Sequence, residues 1–320
     1  TFRNTTNSVV SLWEGVEMLE FLLEKLERSV PKWIRNRLEE AKDVLECFCS
    51  SDEKYVRYLY LDKEQLPILC ATSGTLKAGA DFLRTRQVTG LEARAGVQEY
   101  VAESPFSYEK NCLLYLPKTL EHCRRGSREE AVMIANHIHS LICSTYGHTL
   151  VLFTSYTLMG SVYQILRDSL PFPMVEVWRH SQEEILRFKT MENGVLFAAG
   201  SCWEGVDFPG DMVSSLIIVK LPFAVPDPIS EAEKETYESL EAYIQSIIVP
   251  DMQKRLRQGF GRAIRTETDT CVVSILDNRA VQGGKYHEDV LNALPTCQMA
   301  EELREVQAFI RSRKGVEFYL

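Results

Sequence analysis

From about Leu66 onward, the sequence alternates short apolar runs with longer stretches of helical periodicity, and this alternation restricts the fold more than any other feature. The apolar runs have the length of buried strands: Ile68–Ala71, Cys112–Leu116, Leu150–Thr154, Met174–Val177, Val195–Ala199, Leu216–Val219 and Cys271–Leu276. Helical patterns lie between most of them: Arg128–Thr145, Leu158–Ser169, Gln182–Lys189, Ser230–Ile247 and Asp251–Ile264. Strands and helices in this order predict an α/β fold, a parallel sheet with helices on both faces. Ligands on such sheets bind at the loops that follow the carboxyl ends of the strands.

The first part of the chain has a different pattern. Between Val9 and Glu46, apolar residues recur at steps of three and four, interrupted at Pro31. This spacing predicts an antiparallel pair of helices with one apolar stripe. We therefore expect a helical segment over 1–65, a strand and connector over 66–110, and the main α/β domain over 111–320.

Composition and charge exclude several classes of protein. A hydrophobic fraction of 45% with 25% charged residues is typical of a globular chain. No apolar run reaches the length of about 18 residues that a membrane span needs, so we expect no membrane partner. The net charge is −9, so any contact with nucleic acid must be local, because bulk attraction needs a basic surplus. The chain begins Thr1-Phe2-Arg3, without Met or a signal layout, which indicates a fragment end.

The nine cysteines are scattered through the sequence. Cys47 and Cys49 form a C-x-C without a second pair at metal-ligand spacing. A zinc or iron–sulfur site is one interpretation; free thiols in a reducing compartment, several of them core residues such as Cys271, is the interpretation we favour. We therefore expect a cytoplasmic location and no metal bound by this chain.

The segment Gln258–Arg265 carries the strongest chemical signal. At about 100° per residue, Gln258, Gly261, Arg262 and Arg265 fall on one face of a helix, while Leu256, Phe260 and Ile264 fall on the other. Two guanidinium groups beside a glycine suit a polyanion, because each fork can bind phosphate oxygens bidentately. The structural alternative is a solvated basic face paired with carboxylates.

A second segment, Gly200–Gly210, follows the predicted strand Val195–Ala199. Its glycines and proline indicate an irregular backbone whose N–H groups can face a ligand. Glu204 and Asp207 supply acceptors for a ribose hydroxyl or an ordered water, although a tight turn with solvated acids would have the same composition. A tryptophan such as Trp203 is unusual in a turn that only connects two elements.

Two hydroxyl clusters follow other strands. In the first, Thr154–Thr157, we expect Thr157 to cap the next helix. Ser155 and Tyr156 are equally compatible with capping or packing and with binding a phosphate and a base. The second cluster, Thr72–Leu76, contains Ser73 and Thr75 and is of the same kind.

A phosphate-cradling P-loop is absent from the sequence. It requires G-x-x-x-x-G-K-[ST]. Gly74 and Gly79 have the glycine spacing, but Ala80-Asp81 stands where Lys and Ser or Thr are needed.

Taken in order, these segments resemble the back half of a superfamily 2 DNA helicase of the DinG/XPD type. Thr72–Leu76 is similar to motif III, Leu152–Tyr156 to motif IV, Trp203–Asp207 to motif V, and Gln258–Arg265 to motif VI. Ser104-Pro105-Phe106, Lys220–Phe223 and Thr268-Asp269 also fit the bacterial DinG branch, and the opening helices resemble the arch insertion of that family.

The resemblance implies a RecA-like second motor domain that couples ATP hydrolysis to 5′→3′ movement along single-stranded DNA. Arg262 and Arg265 would be arginine fingers on the γ-phosphate, and Gln258 would help align the nucleotide. From the motif V loop, Gly205 and Asp207 would close the nucleotide site, with Glu204 as a further acceptor. The DNA contacts would come from Ser155 and Tyr156 and from the motif III hydroxyls of Ser73 and Thr75.

In that family the Walker A motif and the Mg²⁺ box belong to the first motor domain, and neither occurs in this sequence. ATP and Mg²⁺ would therefore be shared with that domain, and we expect no ATP hydrolysis by this chain alone. The alternative is a non-catalytic module that binds single-stranded nucleic acid or protein on a helicase-derived fold. A small-molecule phosphotransferase ranks last, because no general base follows a strand.

Overall fold

The computed structural model describes residues 82–91, 97–99, 101, 104–118, 120, 122–178, 182–203, 206, 208 and 210–319. With the exception of Val88–Gly90, these residues belong to one compact unit. The helical segment expected over 1–65, the strand Ile68–Ala71 and the cluster Thr72–Leu76 lie outside the described residues. The boundaries expected at 65/66 and 110/111 stay predictions.

The described residues form a seven-stranded sheet in which every pair of neighbours is parallel. Its strands are β1 (Cys112–Tyr115), β2 (Thr149–Phe153), β3 (Met174–Val177), β4 (Val195–Ala199), β5 (Ser215–Ile218), β6 (Cys271–Ile275) and β7 (Gln298–Ala300). Their spatial order is β3-β4-β2-β5-β6-β1-β7. Six of these strands lie within about one residue of the predicted runs, so the expectation of a parallel α/β sheet is confirmed.

Helices connect the strands. They are α1 (Leu83–Thr89), α2 (Tyr108–Asn111), α3 (Arg128–Ser144), α4 (Tyr156–Leu166), α5 (Gln182–Lys189), α6 (Pro228–Glu235), α7 (Leu240–Tyr243), α8 (Val249–Phe260), α9 (His287–Ala293) and α10 (Leu303–Arg313). Short 3₁₀ turns occupy Gly200–Trp203, Gly210–Val213 and Val316–Tyr319, and a π-turn over Ile244–Ile248 joins α7 to α8.

The core has two layers, one on each face of the sheet. Successive strand side chains point to opposite faces, so Leu152 packs in one layer and Phe153 in the other. The Leu152 layer includes α5, α8 and α9 through residues such as Leu256. The Phe153 layer includes α3, α4 and α10 through residues such as Ile134 and Ile310. Every residue of β2, β4, β5 and β6 is buried, as expected for strands covered on both faces.

Capping explains one difference from the sequence prediction. The single helix expected over Ser230–Ile247 is broken: α6 ends at Glu235, and a new helix begins after Ser239. The Ser239 hydroxyl accepts a hydrogen bond from the N–H of Ala242 at 3.1 Å, which satisfies a donor that an uninterrupted helix would have bonded internally. The prediction of one continuous helix was wrong because an internal Ser can act as a cap.

No described helix is both long enough and apolar enough to cross a membrane.

Candidate functional site

Two neighbouring strands end together at the carboxyl edge of the sheet. Phe153 of β2 lies opposite Ala199 of β4 in the parallel register. The segment Thr154–Tyr156 and the turn Gly200–Trp203 therefore leave the sheet side by side, as the sequence predicts for loops that follow parallel strands.

Trp203 connects this edge to the end of helix α8. Its side chain is buried, and its indole N–H donates to the carbonyl of Phe153 at 2.9 Å. The ring lies against Gly259, where an added methyl group would be 2.7 Å from Cζ3 and 2.8 Å from Cε3 of the indole. Trp203 is thus a packing element that fixes the distance between the β4 turn and α8.

Both arginines of the Gln258–Arg265 segment reach the same turn. The guanidinium group of Arg262 donates to the carbonyl of Val206 and, from Nε and Nη2, to the carbonyl of Trp203 at 3.4 and 3.3 Å. Arg265 donates from Nη2 to the same Val206 carbonyl at 3.2 Å. Each side chain is half-buried. The two guanidinium groups therefore meet at the main chain of the segment that follows β4.

The predicted reason for this convergence was wrong. Helix α8 ends at Phe260, so Gly261, Arg262 and Arg265 do not share one helix face. Gly261 caps the helix, and Arg262 lies in a tight turn whose N–H donates to the carbonyl of Gly259 at 3.0 Å. The apolar part of the prediction holds, because Leu256, Phe260 and Ile264 are buried.

Asp269 holds the turn that follows the end of α8, and with it the main chain of Arg265. Its carboxylate, itself buried, accepts from the main-chain N–H groups of Arg265 and Thr266, each at 2.8 Å, and from the Thr266 hydroxyl at 2.6 Å. In a continuing helix, the N–H of Arg265 would instead have bonded the carbonyl of Gly261. Asp269 lies nine residues after the end of α8, and sequence reasoning gave it no structural role, although Asp is a common turn former.

The other residues proposed for the nucleotide site are placed only in part. Gln258 lies half-buried in the last turn of α8. Glu204, Gly205 and Asp207 lie outside the described residues, as do Ser73 and Thr75 of the second hydroxyl cluster.

The first hydroxyl cluster caps α4, but through a different residue from the one predicted. Ser155 is the N-cap, and its hydroxyl accepts from the N–H of Leu158 at 3.4 Å. Thr157 is exposed inside the helix, so its predicted capping role was wrong. The hydroxyl of Tyr156 donates to the carbonyl of Ala199 at 3.3 Å, which ties the start of α4 to the end of β4.

Trp178 follows the end of β3 at the same edge of the sheet. Its ring stacks on that of Tyr156, with centroids 5.6 Å apart and an angle of 18° between the planes. Sequence reasoning assigned nothing to Trp178, although an aromatic residue directly after a buried strand was a usable signal.

The loop that follows β6 contributes an ion pair whose carboxylate is buried. Asp277 accepts from Arg279 at 2.7 Å and from the main-chain N–H of Leu221 at 2.9 Å. Burial raises the pKa of Asp277, but the hydrogen bonds from Arg279 and Leu221 outweigh it and hold the pKa below its ordinary value. The guanidinium of Arg279 also lies 4.7 Å from the ring centroid of Phe223. This pair holds the Lys220–Phe223 segment against the β6 loop.

The described residues include no group of three or more His, Cys, Asp or Glu side chains arranged to hold a metal ion. The described cysteines are free thiols, and Cys112, Cys202 and Cys271 are buried. The interpretation of Cys271 as a core residue in a strand is confirmed. Cys47 and Cys49 lie outside the described residues.

Residues 138–297, a span that includes β2 to β6, both arginines and the turn after β4, match the family model of the helicase C-terminal domain. The chain belongs to this family. Its relatives include a protein named ATP-dependent DNA helicase YoaA from Haemophilus influenzae, which is 32% identical over 245 residues, a span of 76% of this chain and 37% of that protein. Another is the ATP-dependent DNA helicase DinG of Photobacterium profundum, 33% identical over 70% of this chain and 33% of that protein.

A third relative, from Bacillus subtilis, is named 3′-5′ exonuclease DinG and is 31% identical over 66% of this chain and 24% of its own length. Among solved structures, one titled XPD_Helicase is 20% identical, with a TM-score of 0.46 over 59% of this chain and 36% of that chain. The resemblance to the C-terminal part of a DinG/XPD-type helicase, with its RecA-like sheet, is confirmed. The chain spans between about a quarter and two fifths of the length of these relatives.

Proposed function

We propose that this chain is the second motor domain of an ATP-dependent 5′→3′ DNA helicase. Its part would be to supply two arginines to a nucleotide held by the first motor domain of the same protein. The observation that carries the proposal is the meeting of the Arg262 and Arg265 guanidinium groups at one carbonyl, that of Val206.

The geometry suits a triphosphate. Two forks at one point present several N–H donors to a group of closely spaced anionic oxygens. Arginine binds phosphate through two parallel hydrogen bonds between opposite charges, which a neutral carbonyl does not offer, so exchange of the Val206 and Trp203 carbonyls for a γ-phosphate is favourable. The forks would then stabilise charge that develops during phosphoryl transfer, a role worth roughly 10³- to 10⁵-fold in rate in comparable systems.

The remaining nucleotide contacts would come from nearby residues. Gln258, one turn before Arg262, would align the nucleotide with its amide. Glu204, Gly205 and Asp207 would close the site from the segment between Trp203 and Phe208, next to the carbonyls that hold the arginines.

Mg²⁺ would be held by the first motor domain together with the phosphates. The described part of this chain offers no cluster of carboxylates for it. ATP and Mg²⁺ would thus bind where the two motor domains face each other, and the isolated chain would not turn over ATP, because arginines without a phosphate cradle have no transition state to stabilise.

Single-stranded DNA would cross the carboxyl edge of the sheet. The Ser155 hydroxyl accepts a bond in capping α4 but keeps its own O–H to donate to a phosphate. Tyr156, beside it, and the hydroxyls of Ser73 and Thr75 complete the proposed DNA contacts. Because the net charge is −9, this contact would be local.

Two measurements on the isolated chain test the proposal. A radiolabelled-ATP assay with Mg²⁺ and single-stranded DNA should show no hydrolysis above background. Hydrolysis by the isolated chain that disappears in the Arg262→Ala variant would contradict the proposal that the first motor domain is required. Fluorescence anisotropy with a labelled oligonucleotide should show binding that Arg262→Ala leaves unchanged, since the arginine faces the nucleotide. Arg304→Ala on α10, which removes an exposed arginine far along the chain from the site residues, is the matched control for the lost charge.

The second candidate function is a non-catalytic module that binds single-stranded nucleic acid. The contacts of the two arginines also fit this function. Arg262 and Arg265 donate hydrogen bonds to the chain's own carbonyls, and in this interpretation their role is to hold the turn after β4. In that case Arg262→Ala would lower the melting temperature and DNA affinity together, and a linked first motor domain would gain nothing from the arginine.

A further inference from the structure

Trp178 is an exposed aromatic ring held in a fixed pose. The side chain is 45% exposed although tryptophan is one of the most strongly buried residue types on average. It is the only aromatic residue among the large hydrophobic side chains that are exposed in the described part of the chain. The exposure of an indole at a strand end beside the candidate site therefore needs a physical explanation.

Two residues of α4 set its pose. Tyr156 stacks against one face of the indole, nearly parallel, and Tyr156 is in turn anchored by its hydrogen bond to Ala199. Gly160, one turn further along α4, lies beneath the ring edge: an added methyl group there would be 3.3 Å from Cζ2 of Trp178. The glycine lets the indole lie flat on the helix.

This arrangement changes which aromatic residue can meet a ligand. One face of Tyr156 is covered by Trp178, and its hydroxyl is in contact with the Gly200 backbone, where an added methyl group would be 2.7 Å from the oxygen. Tyr156 is half-buried and Trp178 is exposed, so the indole is the more accessible ring of the stack. A flat π-surface stacked on the residue that directly follows Ser155 matches a nucleobase attached to a phosphate.

We propose that Trp178 is the residue on which a base of single-stranded DNA stacks, with Tyr156 as the support that holds it. The inference rests on the proposed function, because it assumes that single-stranded DNA crosses this edge. The proposed ligand of Trp178 is a nucleobase, and its binding would not depend on the DNA sequence, since every base has a π-face. Gly160 is a positioning residue in this account. Tyr156, proposed above as a DNA contact, supports the indole, and Trp178 makes the stacking contact with the base.

The test uses the full 320-residue chain and a fluorescein-labelled oligothymidylate, with anisotropy as the readout. Trp178→Ala should weaken binding by about 5- to 150-fold, the range that loss of one stacked base produces, while Trp178→Phe should keep most of the affinity. Met299→Ala is the control: Met299 is 47% exposed, much like Trp178, but lies on β7 at the opposite edge of the sheet. Its affinity should equal that of the wild type.

A second oligonucleotide separates base stacking from a structural effect. In a strand of the same length made of abasic sites, the difference between wild type and Trp178→Ala should vanish, because no base remains to stack. If Trp178→Ala weakens both strands equally, or leaves oligothymidylate binding unchanged, the stacking role is wrong. Circular dichroism of each variant confirms that the fold is retained. If the alanine variant unfolds, Trp178→Leu supplies the test, because it keeps a large apolar side chain but removes the π-surface and should weaken oligothymidylate binding in the same way.

The outcomes also separate this inference from the function beneath it. A wild-type chain that binds neither strand contradicts both. A wild type that binds oligothymidylate, together with a Trp178→Ala variant that binds it equally well, supports single-stranded DNA binding and rejects only the role of Trp178.

Discussion

The contact between Gly259 and Trp203 leads to a paired prediction about two glycines in one motif. Gly259→Ala places a methyl group 2.7 and 2.8 Å from two carbons of the indole, closer than carbon atoms pack. The ring has little freedom to retreat, because it is buried and bonded to Phe153. Gly261→Ala places its methyl group no closer than 3.4 Å to the Arg257 carbonyl oxygen, which is ordinary contact.

The difference between the two variants isolates the cost of overpacking. Both replacements remove the same backbone freedom from the unfolded chain, a stabilising effect of about 0.4–1 kcal/mol that cancels in the comparison. Overpacking of a well-packed site costs about 1–3 kcal/mol. We therefore expect Gly259→Ala to have a free energy of unfolding about 1–3 kcal/mol below that of Gly261→Ala. At about 2–4 °C per kcal/mol for a domain of this size, the melting temperatures should differ by about 2–12 °C.

The assay is thermal unfolding of the two variants and the wild type at one protein concentration, followed by circular dichroism or calorimetry. Gly261→Ala should melt at or slightly above the wild-type temperature. Equal melting temperatures for the two variants, or a more stable Gly259→Ala, would refute the claim that Trp203 packs directly on α8.

Three further predictions follow from other contacts. Asp269→Ala should lower the free energy of unfolding by about 1–3 kcal/mol, since it removes the carboxylate that bonds the N–H groups of Arg265 and Thr266. Asp168→Ala on the surface should change it by less than about 0.5 kcal/mol, and urea titration measures both. The pKa of Asp277 in the folded protein lies below its unfolded value of about 3.9. Its contribution to stability is therefore present above that pH and is lost as pH falls through the folded pKa. The difference in free energy of unfolding between wild type and Asp277→Asn, the stability gap, should narrow below about pH 4. Iodoacetamide should label exposed Cys143 in the native protein but leave Cys271 unlabelled, because burial also raises the pKa of the Cys271 thiol; peptide mapping reads both sites.

Each of these has a clear contrary result. Equal losses from the Asp269 and Asp168 variants would mean that the turn after α8 does not depend on the carboxylate. A stability gap at Asp277 that is constant from pH 7 to pH 3 would contradict its lowered pKa. Labelling of Cys271 before unfolding would contradict its place in the core.

The fold could be predicted where burial alone decides the pattern. Strands such as β2 and β4 are covered on both faces and read as continuous apolar runs, so their positions were clear. β7 was missed because it is three residues long and exposes Gln298 and Met299, which leaves no apolar run to detect. The break before α7 was missed because Ser239 acts as a cap only when the chain turns there.

The sequence predicts which residues form the candidate site but not the contacts that hold them together. Spacing along the chain brought Arg262 and Arg265 to attention. The helix-face argument failed because α8 ends at Phe260 with Gly261 as its cap, and Asp269 bonds the N–H of Arg265 beyond that end. The glycine that packs closely is Gly259 rather than Gly261, and its partner, Trp203, lies 56 residues earlier in the sequence. Contacts of this kind are set by tertiary packing, which no local pattern encodes.

The most direct test of the central claim is ATP turnover by a polypeptide that joins this chain to a first motor domain with a Walker A motif. With saturating single-stranded DNA, Arg262→Ala should lower kcat by about 10³-fold or more, while the Kd for the oligonucleotide stays at the wild-type value. A kcat close to that of the wild type, with a weakened Kd for DNA, would show that the arginine serves the nucleic acid and not the nucleotide.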